Sequence, residues 1–245
     1  MKCQLRSGCA GFTLVEMAVV MIIVGFLLGG LLVPLRALTE QRGYSETRRA
    51  MDDVRQALLG YAMARGHLPC PAKSYLDGAE NRDPSSAKCR MLSGNVSTGF
   101  LPWAELGLPR LDAWGHLYRY SVSAAYADAL VKITLSPLTA RSITIKSRDP
   151  AGTEFRLTTD DNKSPAAVIS MGANGALAYG AYGSQLGNTS ATNVDEQANA
   201  LGDSIFFSRD RAANAGAAGG EFDDIVVWIA PGVYASKMVE AGQLP

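Results

Sequence analysis

Histidine is almost missing from this chain: His67 and His116 are the only two in 245 residues. Neither stands in H-E-x-x-H or another metal-ligand spacing, and no G-x-S-x-G, Walker A or complete G-x-G-x-x-G occurs. Ser85-Ser86-Ala87-Lys88 spells S-x-x-K, but in a polar loop and without the companion signatures that a penicillin-binding enzyme needs. No catalytic constellation is left, so the chain is not expected to be an enzyme. An excess of charge is missing too, since 23 Lys+Arg balance 23 Asp+Glu. There is no basic stripe with interleaved aromatics either, and nucleic acid is not an expected partner. Cysteine is absent from the C-terminal half; the four present are Cys3, Cys9, Cys70 and Cys89.

What the chain does have is a long apolar run. No residue from Met17 to Leu35 is charged, and as a helix that stretch reaches about 28 Å, one hydrocarbon thickness. It reads as a single membrane span. Lys2 and Arg6 hold the short leading end on the cytoplasmic side, which sends everything after Arg36 across the inner membrane into the periplasm. A secretory signal peptide would carry a small-residue cleavage site after the run, and Pro34-Leu35-Arg36-Ala37-Leu38 offers none. A lipoprotein signal would need an apolar segment before Ser7-Gly8-Cys9, and there is none.

Directly before the run stands Gly11-Phe12-Thr13-Leu14-Val15-Glu16, behind a short basic leader. This resembles the type IV prepilin signal, shared by type IV pilins and type II secretion pseudopilins. The resemblance implies that prepilin peptidase cuts between Gly11 and Phe12 and methylates the new amino group of Phe12. It also implies that other pilin or pseudopilin subunits are the partners and that the apolar helix stays in the product. Loss of residues 1–11 would remove Cys3 and Cys9. A lone carboxylate in a span costs about 2.5 to 3.5 kcal/mol on insertion scales. In fibres similar to those implied here the matching glutamate meets the amino terminus of a neighbouring subunit, which gives Glu16 a role in assembly. The alternative is a Glu16 that sits at the membrane interface and reaches water.

Beyond the span, Met51, Val54, Leu58, Tyr61 and Ala62 recur at the spacing of one helix face. Residues 12–36 are therefore expected to span the membrane and 37–65 to continue the same stalk helix, with a kink at Pro34 and a loosening at Gly43. Gly66-His67-Leu68-Pro69-Cys70-Pro71 ends the helix. Residues 66–245 form a globular periplasmic head.

Cys70 and Cys89 lie in a segment rich in Gly, Pro, Ser and charge. In an oxidising compartment they would close a loop of about twenty residues, worth on the order of 3 kcal/mol. A metal pair and two free thiols are the other readings. Strands are expected at Leu117–Val122, Val131–Leu135, Ser142–Lys146, Glu154–Thr159 and Ala166–Ser170, separated by turns such as Arg148-Asp149-Pro150-Ala151-Gly152 and Asp160-Asp161-Asn162-Lys163-Ser164-Pro165. The expected fold is α+β: one long N-terminal helix packed on a small antiparallel meander, a pilin-like arrangement.

Two further segments extend the resemblance. Leu111-Asp112-Ala113-Trp114-Gly115-His116-Leu117-Tyr118-Arg119-Tyr120 is similar to the D-x-W-G-x-x-Y-x-Y segment of the major pseudopilin. Ser170-Met171-Gly172-Ala173-Asn174-Gly175, with the later Phe222-Asp223-Asp224-Ile225-Val226-Val227-Trp228, is similar to the two segments that flank that family's calcium loop. The resemblance implies a candidate Ca2+ site at Asn174, Asp223 and Asp224, the one cofactor expectation here, with Asp195 and Glu196 as replacements for the aspartate that Asn174 displaces. Surface carboxylates capping a turn are the other reading. The two halves stand apart by about 45 residues where the family has a short loop. That insertion, at about 180–220, is rich in Ala, Gly, Asn and Ser and reads as a long surface loop with at most one strand, at Ile205-Phe206-Phe207. Pro231-Gly232-Val233 opens a short helix through about Ala241.

The G-x-L-P-C-P segment and this tail are closer to minor pilin-like proteins than to the shaft subunit. The expected function is thus a structural subunit, a minor one, of a type II secretion pseudopilus or type IV pilus. The alternative is a tip adhesin or substrate-binding minor pilin.

Overall fold

The computed structural model describes residues 12–134, 141–159 and 163–244, with side chains throughout except at 27–37. Gly11, the leader with Cys3 and Cys9, the side chain of Pro34, Leu135 and Asp160 to Asn162 therefore lie outside what is described. The chain divides into two units, Met1–Arg42 and Gly43–Pro245.

Helix α1 runs from Leu14 to Arg65. In the first unit its apolar side chains face outward: Leu14 is 88% exposed, Ile22 58% and Phe26 78%. Such a surface is far more apolar than a helix standing in water keeps. Among the described residues no helix is long and apolar enough to cross a membrane. The expected span at 12–36 runs into residues 27–37, whose side chains lie outside the description.

In the second unit, the stripe Met51, Val54, Leu58 and Ala62 is almost fully buried, each at 2% exposure or less. Each such side chain contributes roughly 1.5 to 3 kcal/mol over an exposed one. The helix stops at Arg65 because Gly66 turns to φ 84°, a left-handed conformation that glycine adopts without steric cost.

The head is α+β. Among the described residues its first sheet has five strands in the order β1 (Leu92–Ser93), β2 (Val96–Phe100), β3 (Arg119–Ser123), β6 (Ala166–Ser170) and β8 (Ile225–Trp228), every pair antiparallel. A second sheet holds β5 (Glu154–Arg156), β4 (Thr144–Arg148) and β7 (Ile205–Phe207), in that order. There β4 and β7 are parallel, with Ile145 opposite Phe206.

The five-stranded sheet separates two cores, and the period-two alternation of its strands shows this directly. Tyr120, Val122, Ala166, Val168 and Ile225 join Met51, Val54 and Leu58 of α1 in one core. Ala167, Ile169 and Val226 turn the other way, onto Ile143, Ile145 and Phe206. Both faces of β6 are covered, which is why all five of its residues are buried.

Several expectations change. Val131 to Thr134 form no strand, while β1 and β2, which lack a strong alternating pattern, open the sheet and lead into a one-turn helix, α2 (Trp103–Leu106). The strands make two sheets in place of one meander. The largest correction concerns the 180–220 segment, which has an exposed irregular stretch at 181–192 and the expected strand at Ile205–Phe207 but is not a surface loop throughout. It contains α3 (Val194–Leu201) and β7, and it places Ala200 and Phe206 in the second core. Helix α4 (Pro231–Glu240) closes the first core with Tyr234 and Met238.

Candidate functional site

Three places carry the residues singled out by the sequence. The first is the start of α1. Phe12 is 81% exposed. Glu16 reaches back to Thr13, its Oε2 accepting from the Thr13 backbone N–H at 2.9 Å and the Thr13 hydroxyl at 2.8 Å. The Glu16 N–H in turn donates to Thr13 Oγ1 at 3.3 Å. This is a capping box, T-x-x-E, which satisfies amide hydrogens that the helix itself cannot. The carboxylate thus has a local partner within its own helix.

The second is the Asp112 turn. Asp112 Oδ1 accepts from the N–H groups of Trp114 and His116, at 3.0 and 2.8 Å, and Oδ2 accepts from Ser170 Oγ at 2.7 Å. One buried carboxylate therefore ties the D-x-W-G segment to the S-x-G-A-N-G segment. Ala113 N–H donates to Thr47 Oγ1 of α1 at 3.2 Å. The Trp114 indole lies over Gly43, where a β-carbon would come within 3.1 Å of it. This aromatic anchors the turn to the helix.

The third is a cluster of carboxylates. Glu196 from α3 and Asp223 and Asp224 from the segment before β8 each direct an oxygen into a space no wider than 4.8 Å. Glu196 accepts from Asn174 Nδ2 at 2.9 Å, Asn193 Nδ2 at 2.7 Å and the Asp223 N–H at 2.9 Å. Asp223 Oδ2 accepts from the Asn174 N–H at 2.8 Å, and Asp224 Oδ2 from Asn199 Nδ2 at 2.8 Å. The remaining Oδ1 atoms of both aspartates are buried with no hydrogen-bond partner among the described residues. Burial, with Glu196 adding repulsion, lifts the Asp223 carboxyl to about 6 and pushes Asp224 well above the usual carboxylate range. Gly172 makes room for this arrangement: at φ 60° it faces Asp223, and a β-carbon there would lie 2.1 Å from Oδ1.

Two buried carboxylates and a half-buried one, with two orphaned oxygens between the aspartates, suit a hard divalent cation, which takes oxygen ligands of this type. The residue set differs from the expected one. Asn174 spends its Oδ1 on the Ala176 N–H, at 2.9 Å, and meets the cluster as a donor. Asp195 is excluded because Arg148 and Arg209 hold it, each at 2.8 Å. Glu196 takes the place, and it comes from the insertion. Of the two replacements expected from the sequence, Asp195 and Glu196, the fold of α3 brings Glu196 to the cluster.

Elsewhere in the head, Cys70 and Cys89 are joined by a disulfide. Inside its loop Arg82 donates to the carbonyls of Ala87 and Ala127, at 2.7 and 2.6 Å, and pairs with Glu80 at 3.0 Å. Glu80 accepts from the Cys70 N–H at 2.9 Å, so the loop is pinned by charge as well as by sulfur. His67 lies against the same arginine, at 3.2 Å, and burial lowers its pKa.

No curated protein and no solved structure matches this chain. A match does exist at its beginning, where the capping box and the apolar run lie. Residues 6–32 match the prokaryotic N-terminal methylation motif, and the chain therefore carries the prepilin-type cleavage and methylation signal of type IV pilins and pseudopilins.

Proposed function

We propose that this chain is a minor structural subunit of a type II secretion pseudopilus or a type IV pilus. The methylation motif over residues 6–32 carries the reading: it supports a pilin-like or pseudopilin subunit, a structural class processed by prepilin peptidase and assembled with its own kind. On this reading the peptidase cuts between Gly11 and Phe12, and the helix from Phe12 anchors the subunit in the inner membrane. The head then lies in the periplasm. The outward apolar face of α1 from Leu14 to Phe26 supports such an anchor, since its side chains are exposed among the described residues.

Glu16 then has two partners at different times. Before assembly its charge is met by the Thr13 cap. In the fibre it would meet the methylated amine of a neighbouring Phe12, an ion pair that fixes register. The Glu196, Asp223 and Asp224 cluster would hold calcium. Its role is structural, because it joins α3 of the insertion to the entry of β8 and so braces the second core.

The assignment is tested by expressing the chain with prepilin peptidase and determining the N-terminal residue. The expected product begins with N-methyl-Phe12. An uncut chain, or a cut elsewhere, would overturn the reading. Immunogold labelling of isolated fibres separates a subunit distributed along the shaft from a tip adhesin found at one end.

A further inference from the structure

Away from the carboxylate cluster, the head holds a cavity of about 460 Å³, within the range of small-molecule sites. Four parts of the chain wall it: the disulfide loop, the paired strands β2 and β3, the stretch from Met171 to Gly183, and the end of α3 with the residues after it. Met91, Phe100, Leu117 and Met171 give it an apolar lining. The Phe100 ring meets the Tyr179 ring edge-on, with centroids 5.2 Å apart.

The walls are fixed by the fold itself. Tyr75 stands against Gly183, where at φ 75° a β-carbon would lie 2.3 Å from the tyrosine ring. Leu177 is held at φ 57°, a left-handed conformation that costs a leucine energy and a glycine none. Strain of this kind collects where a side chain has to be held in place, here on the wall of a cavity. No strand edge opens into the space. Phe100 exchanges both main-chain bonds with Ala72, at 2.8 and 2.9 Å, and β3 lies between β2 and β6. An extended chain would find no backbone to pair with, so the cavity suits a compact ligand.

The polar groups of the lining choose its chemistry. Arg119 donates to the carbonyls of Ala200 and Gly202 and stands 3.5 Å from Asp203, so it answers the one carboxylate of the wall. The Thr98 hydroxyl is bonded to that of Ser121 at 2.7 Å. Lys73 is exposed at the mouth, and its ammonium has no ion pair or hydrogen bond among the described residues. The hydroxyls of Tyr75 and Tyr179 have none either. The lining therefore carries one unanswered positive charge, two free hydroxyls and no unanswered negative charge. We propose that this cavity binds a small carboxylate with an aromatic body. The ring packs on Phe100, Tyr179 and the two methionines, and the carboxylate meets Lys73.

The test uses the full chain in lipid nanodiscs, with N-acetyl-phenylalanine as the probe and its carboxamide as the neutral control. Calorimetric titration should show saturable binding of the acid, at least fivefold tighter than the amide. Lys73→Ala, an exposed change, should erase that preference at an unchanged melting temperature, and Lys73→Arg should keep it. In NMR spectra the methyl groups of Met91 and Met171 should shift with the same saturation, while those of Met51 and Met238, in the core against α1, stay in place. The peptide Gly-Ser-Gly-Ser-Phe, which carries the same acid at the end of a chain, should bind at least fivefold more weakly. The proposal is overturned by a lack of saturation, by equal binding of acid and amide, by a preference that survives Lys73→Ala, or by unmoved Met91 and Met171. Equal binding of the peptide would overturn it too, because the ligand would then be a chain end.

Discussion

Thr13 and Glu16 bond each other reciprocally at the first turn of α1, the hydroxyl to the carboxylate at 2.8 Å and the Glu16 amide back to the hydroxyl at 3.3 Å. The pair places the carboxylate beside the unpaired amides of the helix start, where a negative charge is favoured. Thr13→Val removes the hydroxyl and should cost the helix start about 1 kcal/mol. If Glu16 must leave this cap to meet a neighbour, Glu16→Ala will be cut and inserted normally yet be missing from sheared fibres. Immunoblots of the fibre and membrane fractions check both variants, and normal incorporation of Glu16→Ala would sink the assembly role.

The disulfide closes a loop with few apolar residues. Replacing Cys70 and Cys89 together by serine should lower stability by on the order of 3 kcal/mol, with Arg82 and Glu80 retaining part of the loop's order. Thermal melts of oxidised, reduced and substituted protein measure this. Equal melting temperatures in all three would show that the charge contacts alone suffice.

Added calcium should raise the melting temperature, and a chelator should lower it, because the ion removes the repulsion among Glu196, Asp223 and Asp224. Asp224→Asn should abolish the response while keeping a group of the same shape against Asn199. A melt indifferent to calcium and chelator would remove the metal reading.

His67 gives a pH dependence of definite sign. Burial and the nearby Arg82 hold its folded pKa below the ordinary value of 6.5. The unfolded chain then binds more protons just below that pH, so the contribution of His67 to stability is fully present above 6.5 and is lost as the pH falls from there through its lower folded pKa. Asp223 and Asp224, whose carboxyls are raised, act in the opposite sense over the same range, so the readout is a difference between proteins: relative to wild type, His67→Gln should be less penalised at about pH 5.5 than at about pH 7.5. An unchanged slope in the variant would assign the effect to other groups.

Phe206 tests whether the insertion belongs to the fold. It is fully buried beside Ile145 and Ile169, so Phe206→Ala should cost about 3 to 5 kcal/mol. A surface loop would tolerate the change, and denaturant titration distinguishes the two outcomes.

The long helix and the α+β class were legible because their signals are local. A buried stripe at helical spacing and a glycine that must end it can be read from neighbouring residues, as Met51, Val54, Leu58 and Gly66 show. The second sheet was not legible, because its parallel pair joins Ile145 to Phe206 across some sixty residues of chain. No local pattern records such a partner. The insertion misled for a related reason: its polar composition includes Asn193, Asp195, Glu196 and Asn199, all fully buried. Buried polar residues satisfied by one another look in sequence like a solvated loop. The carboxylate cluster was largely visible, as Asp223 and Asp224 stood in a motif and Glu196 was one of two replacements; the choice of Glu196 over Asp195 depended on the fold of α3.

The order of strands in the first sheet has a kinetic consequence. β6 lies between β3 and β8, and its partner Trp228 follows Ala167 by a detour through α3 and β7. The sheet therefore stays open along one side of β6 until nearly the whole chain has emerged. The α1 core is not sealed until Met238 and Leu244 arrive. A head delivered vectorially would thus wait, incompletely folded, for its last residues. Shortening the C-terminus by even one helical turn should delay folding and expose the unfinished head to proteolysis before any mature protein accumulates.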